Sequence, residues 1–221
     1  MFKRAKAPVF DPREFIKMDD LSRSNPLGEP YAHVTATVPL GALCVIRADH
    51  GHGKTPLLLT MAGRMAPTGG TLEVAGYPVP KKRNKVMKLA GLGLFPGLND
   101  VEENLTAPSL LKAELDIYNK PTNRAFVDEY LESYDLLRLK KTRIRDYEQV
   151  DLIQLGIALG MAGDPLLLAV DDVEDQLTGA QSERLLTELR EMAREKNIVA
   201  AVACTDERLA KFADVVIDLD K

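Results

Sequence analysis

Residues 48–55 read ADHGHGKT, in which two spaced glycines precede a lysine and a hydroxyl. This is the phosphate-loop spacing G-x-x-x-x-G-K-[ST], departed from only at its first position, where Ala48 stands for glycine. In such a loop backbone N–H groups converge on phosphates, the lysine adds a point charge and the hydroxyl joins a magnesium shell. Gly51, His52, Gly53, Lys54 and Thr55 are therefore the predicted nucleotide-binding residues, with Thr55 also a magnesium ligand. Pro56 follows, and because proline has no N–H one phosphate donor is lost, a deficit of about 1–3 kcal/mol. The plainer alternative is a glycine-rich turn that caps a helix, with Lys54 solvated. His50 and His52 form a His-x-His pair, but no carboxylate or cysteine set of suitable spacing accompanies them, so an effect on phosphate recognition is expected rather than metal ligation.

A phosphate loop needs a strand before it and a helix after it. Residues 34–47 (VTATVPLGALCVIR) alternate, turn at Gly41 and become continuously apolar, which predicts an edge strand feeding a buried one. PLLLTMAGRM then has helical spacing, and PTGGTLEVAGYPVP reads as a turn and a short strand pair. From about residue 95 to 159 the pattern is helical, as in RAFVDEYLESYDLLRL, and predicts a helical insert. PLLLAVDD, QSERLLTELREMAREKN, IVAAVAC and DVVIDL then read as strand, amphipathic helix, strand and strand. The expected fold is a single α/β P-loop NTPase domain over 1–221, RecA-like, with a parallel sheet core, antiparallel edge strands and a helical insert.

The remaining composition narrows the function class. A net charge of -4 gives no global field for nucleic acid or anionic lipid. The basic run KKRNK at 81–85 lacks interleaved aromatics and reads as a solvated turn, so no nucleic-acid partner is expected. Cys44 and Cys204 lie in apolar runs and read as buried, reduced thiols. The N-terminal MFKRAKAPVF is basic without an apolar core and cleavage site, and no run reaches the ~20 apolar residues of a membrane span, so a cytoplasmic location is expected.

Residues 34–80 resemble the first half of an ATP-binding cassette (ABC) ATPase, the PTGGTLEVAG stretch included; GLNDVEENL and MAGDPLLLAVDD resemble the opening of that family's helical subdomain and its run into the Walker B strand. The resemblance extends from about Phe15 to Leu219. It implies ATP and Mg2+ as ligands, with Asp171 in the magnesium shell. Asp172 falls on the position of the catalytic glutamate, where its carboxylate is one methylene shorter and falls about 1 Å short of the attacking water. The signature pentapeptide falls on Tyr147, Glu148, Gln149, Val150 and Asp151, none of which matches, and the two carboxylates there are expected to repel a partner's phosphates. The switch histidine falls on Thr205, the D-loop on Asp175, Gln176, Leu177 and Thr178, and the glutamine expected after the strand at 91–94 is missing. Only Tyr31 offers itself for stacking on adenine. Alternatively, Asp171 and Asp172 merely end a buried strand.

These departures imply a degenerate cassette subunit of a membrane-associated transport or export complex, binding nucleotide weakly or statically with impaired hydrolysis. A membrane permease chain, an intact ABC ATPase subunit, or both are the expected partners, in a homo- or heterodimer held at the inner face of the membrane. The second reading is a pseudo-ATPase scaffold or regulator acting through protein contacts without nucleotide.

Overall fold

The computed structural model describes residues 9–26, 28–174 and 176–220. The basic N-terminal residues 1–8 and Asp175 of the predicted D-loop lie outside the described residues. In chain order the elements are β1 (Ile16–Asn25), β2 (Gly28–Val38), β3 (Leu43–Arg47), α1 (Lys54–Met61), β4 (Gly69–Val74), β5 (Tyr77–Val79), α2 (Arg83–Val86) and β6 (Ala90–Leu92). They continue with α3 (Ala107–Ile117), α4 (Arg124–Glu132), α5 (Gln149–Gly160), β7 (Leu167–Val170), α6 (Gly179–Lys196), β8 (Val199–Cys204) and β9 (Val215–Asp218).

Two sheets result. One has the order β6-β7-β8-β3-β9 and every pairing in it is parallel. The other, β2-β1-β4-β5, is antiparallel throughout, so the antiparallel strands form a sheet of their own. Because successive side chains of a strand point to opposite faces, Cys44 and Ile46 of β3 pack with α1 and the antiparallel sheet, while Leu43 and Val45 pack with α5 and α6. Both cysteines are free and buried, and burial pushes the thiols up to about 12. A third cluster, built on Leu111, Leu115, Val127, Leu131 and Leu155, belongs to the helices between β6 and β7.

The seam between α5 and the parallel sheet is backbone against backbone. A Cβ on Gly91 would lie 2.0 Å from the Gly160 carbonyl oxygen, and one on Gly156 would lie 2.6 Å from the Leu94 nitrogen. Only glycine permits that approach. It sets the N-terminal end of α5 beside the C-terminal ends of β6 and β7, where the site lies.

Candidate functional site

The strand β3 delivers the chain to Ala48, and α1 begins at Lys54, so the loop between them is held at both ends by buried elements. Gly53 is the N-cap residue, with φ 88° and no side-chain cap. A Cβ there would sit 1.9 Å from the Pro30 carbonyl oxygen, so the loop is pressed onto β2 where only glycine fits. Among the described residues no group accepts from the N–H of Gly53, Lys54 or Thr55. These are the free donors that make a helix start an anion site. Pro56 contributes none.

Lys54 is buried and folded into the loop. Its Nζ donates to the carbonyl oxygens of Ala48 at 2.7 Å and Asp49 at 3.0 Å, and lies 3.4 Å from the Thr205 hydroxyl. Thr55 donates its hydroxyl to Asp171 Oδ2 at 2.6 Å, joining the P-loop to the end of β7. Asp171 is buried too, and its second oxygen, Oδ1, has no partner among the described residues. Burial holds its carboxyl above the usual carboxylate range, the Thr55 hydroxyl draws it back, and the adjacent Asp172 raises it further. A buried carboxylate with one unanswered oxygen beside a threonine hydroxyl has the donor chemistry of a magnesium site. Asp172 is half-buried in a left-handed conformation, φ 43°, and with Asp171, Leu94 and Gln149 it lines a cleft of about 350 Å³.

Gly51 is exposed at the outer side of the loop and His52 turns away from it. The His52 ring nitrogen Nδ1 lies 2.6 Å from Asp220 Oδ1, whose other oxygen accepts from the Asp49 N–H at 2.9 Å. A carboxylate set that local spacing does not show gathers here, one member from the loop and one from the far end of the described chain: Asp49, His52 and Asp220 bring ligand atoms within 4.8 Å of one another. Arg47 already serves this group as its cation, at 3.0 Å from Asp220 and 3.3 Å from Asp218. The hydrogen bond from His52, then burial acting the other way, leaves Asp220 below the usual carboxylate range.

No family model matches the chain. Among curated proteins it is 22% identical over 207 residues to the arabinose import ATP-binding protein AraG of Mannheimia succiniciproducens, covering 91% of this chain and 41% of that protein. It is 27% identical over 217 residues to a putative ribose/galactose/methyl galactoside import ATP-binding protein of Agrobacterium fabrum, covering 92% and 41%. The chain thus spans about two fifths of the length of these relatives. Among solved structures, cbiO1 from Clostridium perfringens superposes with a TM-score of 0.77 at 17% identity, over 94% of this chain and 85% of that one. The chain has the ATP-binding cassette fold.

Several positions of this cassette differ from expectation. Asp151 does not face outward. It is buried and paired with Arg138, so of the two carboxylates in the signature segment only Glu148, the N-cap of α5, is exposed. Tyr147 is likewise turned inward, its hydroxyl 3.4 Å from the Leu139 carbonyl. Tyr31 is buried in the core and donates its hydroxyl to Thr60 at 2.8 Å, so it does not stack on a base. In place of the missing glutamine, Asn99 braces the loop after β6, donating to the Gly93 carbonyl at 2.8 Å and accepting from the Phe95 N–H at 2.7 Å. Thr178 is the N-cap of α6 in a capping box with Gln181. No motif announced Glu174, yet its carboxylate accepts from the backbone N–H groups of Thr205 and Asp206 and so ties the segment after β7 to the segment after β8. Among the described residues no helix is long and apolar enough to cross a membrane.

Proposed function

We propose that this chain is a degenerate cassette subunit of a membrane transport complex, one that holds Mg-ATP at residues 51–55 and Asp171 and turns it over poorly. The observation that carries the reading is the Thr55–Asp171 contact, with its unanswered buried oxygen, next to the unfilled N–H groups that start α1. Gly51, His52, Gly53, Lys54 and Thr55 are assigned to the nucleotide, His52 through its backbone N–H, which must leave the Asp49 carbonyl it meets at 3.2 Å, since its ring is turned to Asp220; Thr55 and Asp171 are assigned to magnesium. When bound, magnesium offsets charge on the phosphate oxygens and fixes their orientation. Lys54 exchanges its loop carbonyls for phosphate oxygens, and Thr205, already at its ammonium, stays close enough to orient it.

Impaired turnover follows from what surrounds the site. Asp172 is short for a base and sits at a left-handed backbone position, Thr205 brings no imidazole, and the signature segment points Tyr147 and Asp151 into the core. Hydrolysis then needs a partner, and the proposed partners are a membrane permease and an intact ABC ATPase subunit, with the chain peripheral at the inner membrane face. The import proteins among its relatives, and the description of cbiO1 as part of the ABC transporter complex cbiONQ, support that setting. The alternative, a pseudo-ATPase scaffold, has one observation in its favour: Lys54 already has acceptors within its own loop. Calorimetric titration of Mg-ATP into wild type and Lys54→Ala decides between them. Binding lost in the variant supports the nucleotide site, and equal heats in both proteins refute it.

A further inference from the structure

The basic run at 81–85 is absorbed by none of the chemistry above. In the fold it does not stand alone. Lys81, Lys82, Arg83, Lys85 and Lys88 are all exposed around α2, whose Val86 is buried and pins the turn to the body of the domain. Gly63 comes up beneath it so closely that a Cβ there would lie 2.9 Å from the Arg83 carbonyl oxygen, which brings the exposed Arg64 alongside. Among the described residues none of these six cations has an ion-pair partner, although the chain carries 33 acidic residues against 29 basic ones. Many other arginines and lysines find carboxylates, as Arg190 and Arg194 find Asp214, and the other cations without an ion pair among the described residues, such as Lys112, Lys141 and Lys196, are scattered along the chain.

Exposed apolar side chains lie near Arg64 as well. Few large hydrophobic residues are exposed in the described chain, and two of them, Ile117 at 69% and Tyr118 at 45%, are neighbours at the end of α3. Tyr118 lies over Gly163 and is near enough to Arg64 and Glu114 for both charges to act on its hydroxyl. Unpaired cations beside an exposed aromatic and an exposed aliphatic side chain match the two layers of a lipid surface: anionic headgroups, and below them the acyl boundary where tyrosine rings settle. Nucleic acid fits less well, since no aromatic alternates with the cations to stack on bases.

We propose that the face formed by Arg64, residues 81–88 and Ile117–Tyr118 docks directly on anionic lipid headgroups. This goes beyond a membrane location conferred by a permease, because it needs no second protein, and it does not depend on nucleotide binding. The test is co-sedimentation of the purified chain, without nucleotide, with phosphatidylcholine vesicles that contain or lack about one third phosphatidylserine. Binding to the anionic vesicles only, weakened by salt, is expected. Replacing Lys81, Lys82 and Lys85 by Gln should lower the partition coefficient about fivefold per charge, roughly a hundredfold in all. Ile117→Ser with Tyr118→Ser should weaken binding without changing its salt slope. A control that removes the same charge elsewhere, at the exposed Lys141, Arg143 and Lys196, should retain binding. No binding to anionic vesicles, equal loss in the control, or equal binding to neutral vesicles overturns the proposal. So does displacement from the vesicles by inorganic phosphate at low millimolar concentration, which would assign the face to a soluble anion.

Discussion

Replacing Asp171 by Asn tests the site through stability as well as binding. In the wild-type chain the carboxylate is buried, Oδ2 accepts from Thr55 and Oδ1 is unanswered. A buried polar group without a partner costs about 1–3 kcal/mol. The amide oxygen of Asn keeps the Thr55 bond, and its NH₂ is as unpartnered as Oδ1 was, so what the nucleotide-free variant gains is the removal of a buried charge, about 1–2 kcal/mol. At 221 residues that corresponds to a Tm rise of roughly 2–8 °C. The pH dependence has a definite sign. A carboxyl raised on folding contributes its stability below the unfolded value, ordinarily 3.8, and loses it as pH rises through the raised value, so the variant's advantage opens with rising pH and closes on acidification. With Mg-ATP present the order should reverse, because a charged carboxylate serves magnesium better than a neutral amide oxygen. Thermal unfolding of both proteins at neutral and acid pH, with and without Mg-ATP, reads all of this. A lower Tm for nucleotide-free Asp171→Asn at neutral pH, or the same magnesium increment in both proteins, refutes the reasoning.

Three further outcomes are expected. Pro56→Thr restores an N–H in the first turn of α1 and should tighten nucleotide binding by about 1–2 kcal/mol in a calorimetric titration; unchanged affinity would mean that the loop does not grip phosphates through this turn. Purified wild type and Asp172→Glu should both release phosphate no faster than Lys54→Ala, since each missing transition-state donor removes about a hundredfold in rate and one repair leaves the others limiting; turnover of about one per second in either would refute impairment. Gly53→Ala forces a Cβ against the Pro30 carbonyl at positive φ and should lower unfolding stability by about 2–4 kcal/mol in a urea titration, whereas an unchanged midpoint would show the loop free of β2.

The elements that were legible in the sequence are those with an unbroken period or a glycine-lysine spacing. β3, α1, the β4–β5 pair and the helices after residue 106 each follow such a pattern. β1 does not, because its register against β2 shifts at Leu21, Arg23 and Asn25 and Asp20 adopts φ 50°, which spoils the alternation that marks a strand. In the candidate site, Lys54, Thr55 and Asp171 could be named from local spacing and resemblance; Thr55 meets Asp171, while Lys54 is held by its own loop and by Thr205. What spacing could not reveal was direction. Asp151 turning in to Arg138, Tyr31 turning in to Thr60 and Asp220 reaching back to His52 are decided by partners 13, 29 and 168 positions away. Glu174 was invisible for the same reason, since its partners are backbone N–H groups, which carry no residue signature.

The glycine seam under α5 has a mechanical consequence. Most helices meet a sheet through side chains, which act as compliant spacers and let the helix slide or tilt by a fraction of an ångström. Here Gly91 meets Gly160 and Gly156 meets Leu94 with no spacer between, at the sheet end and the middle of a helix about 18 Å long. The helix is bolted to β6 and the loop that follows, and a push on that loop reaches Glu148 as movement of a whole rod. Such a joint is not undone by trimming the side chains that flank it, Leu94, Pro165 and Leu168, because its closest approaches are to backbone atoms. It can only be prised apart by adding a side chain.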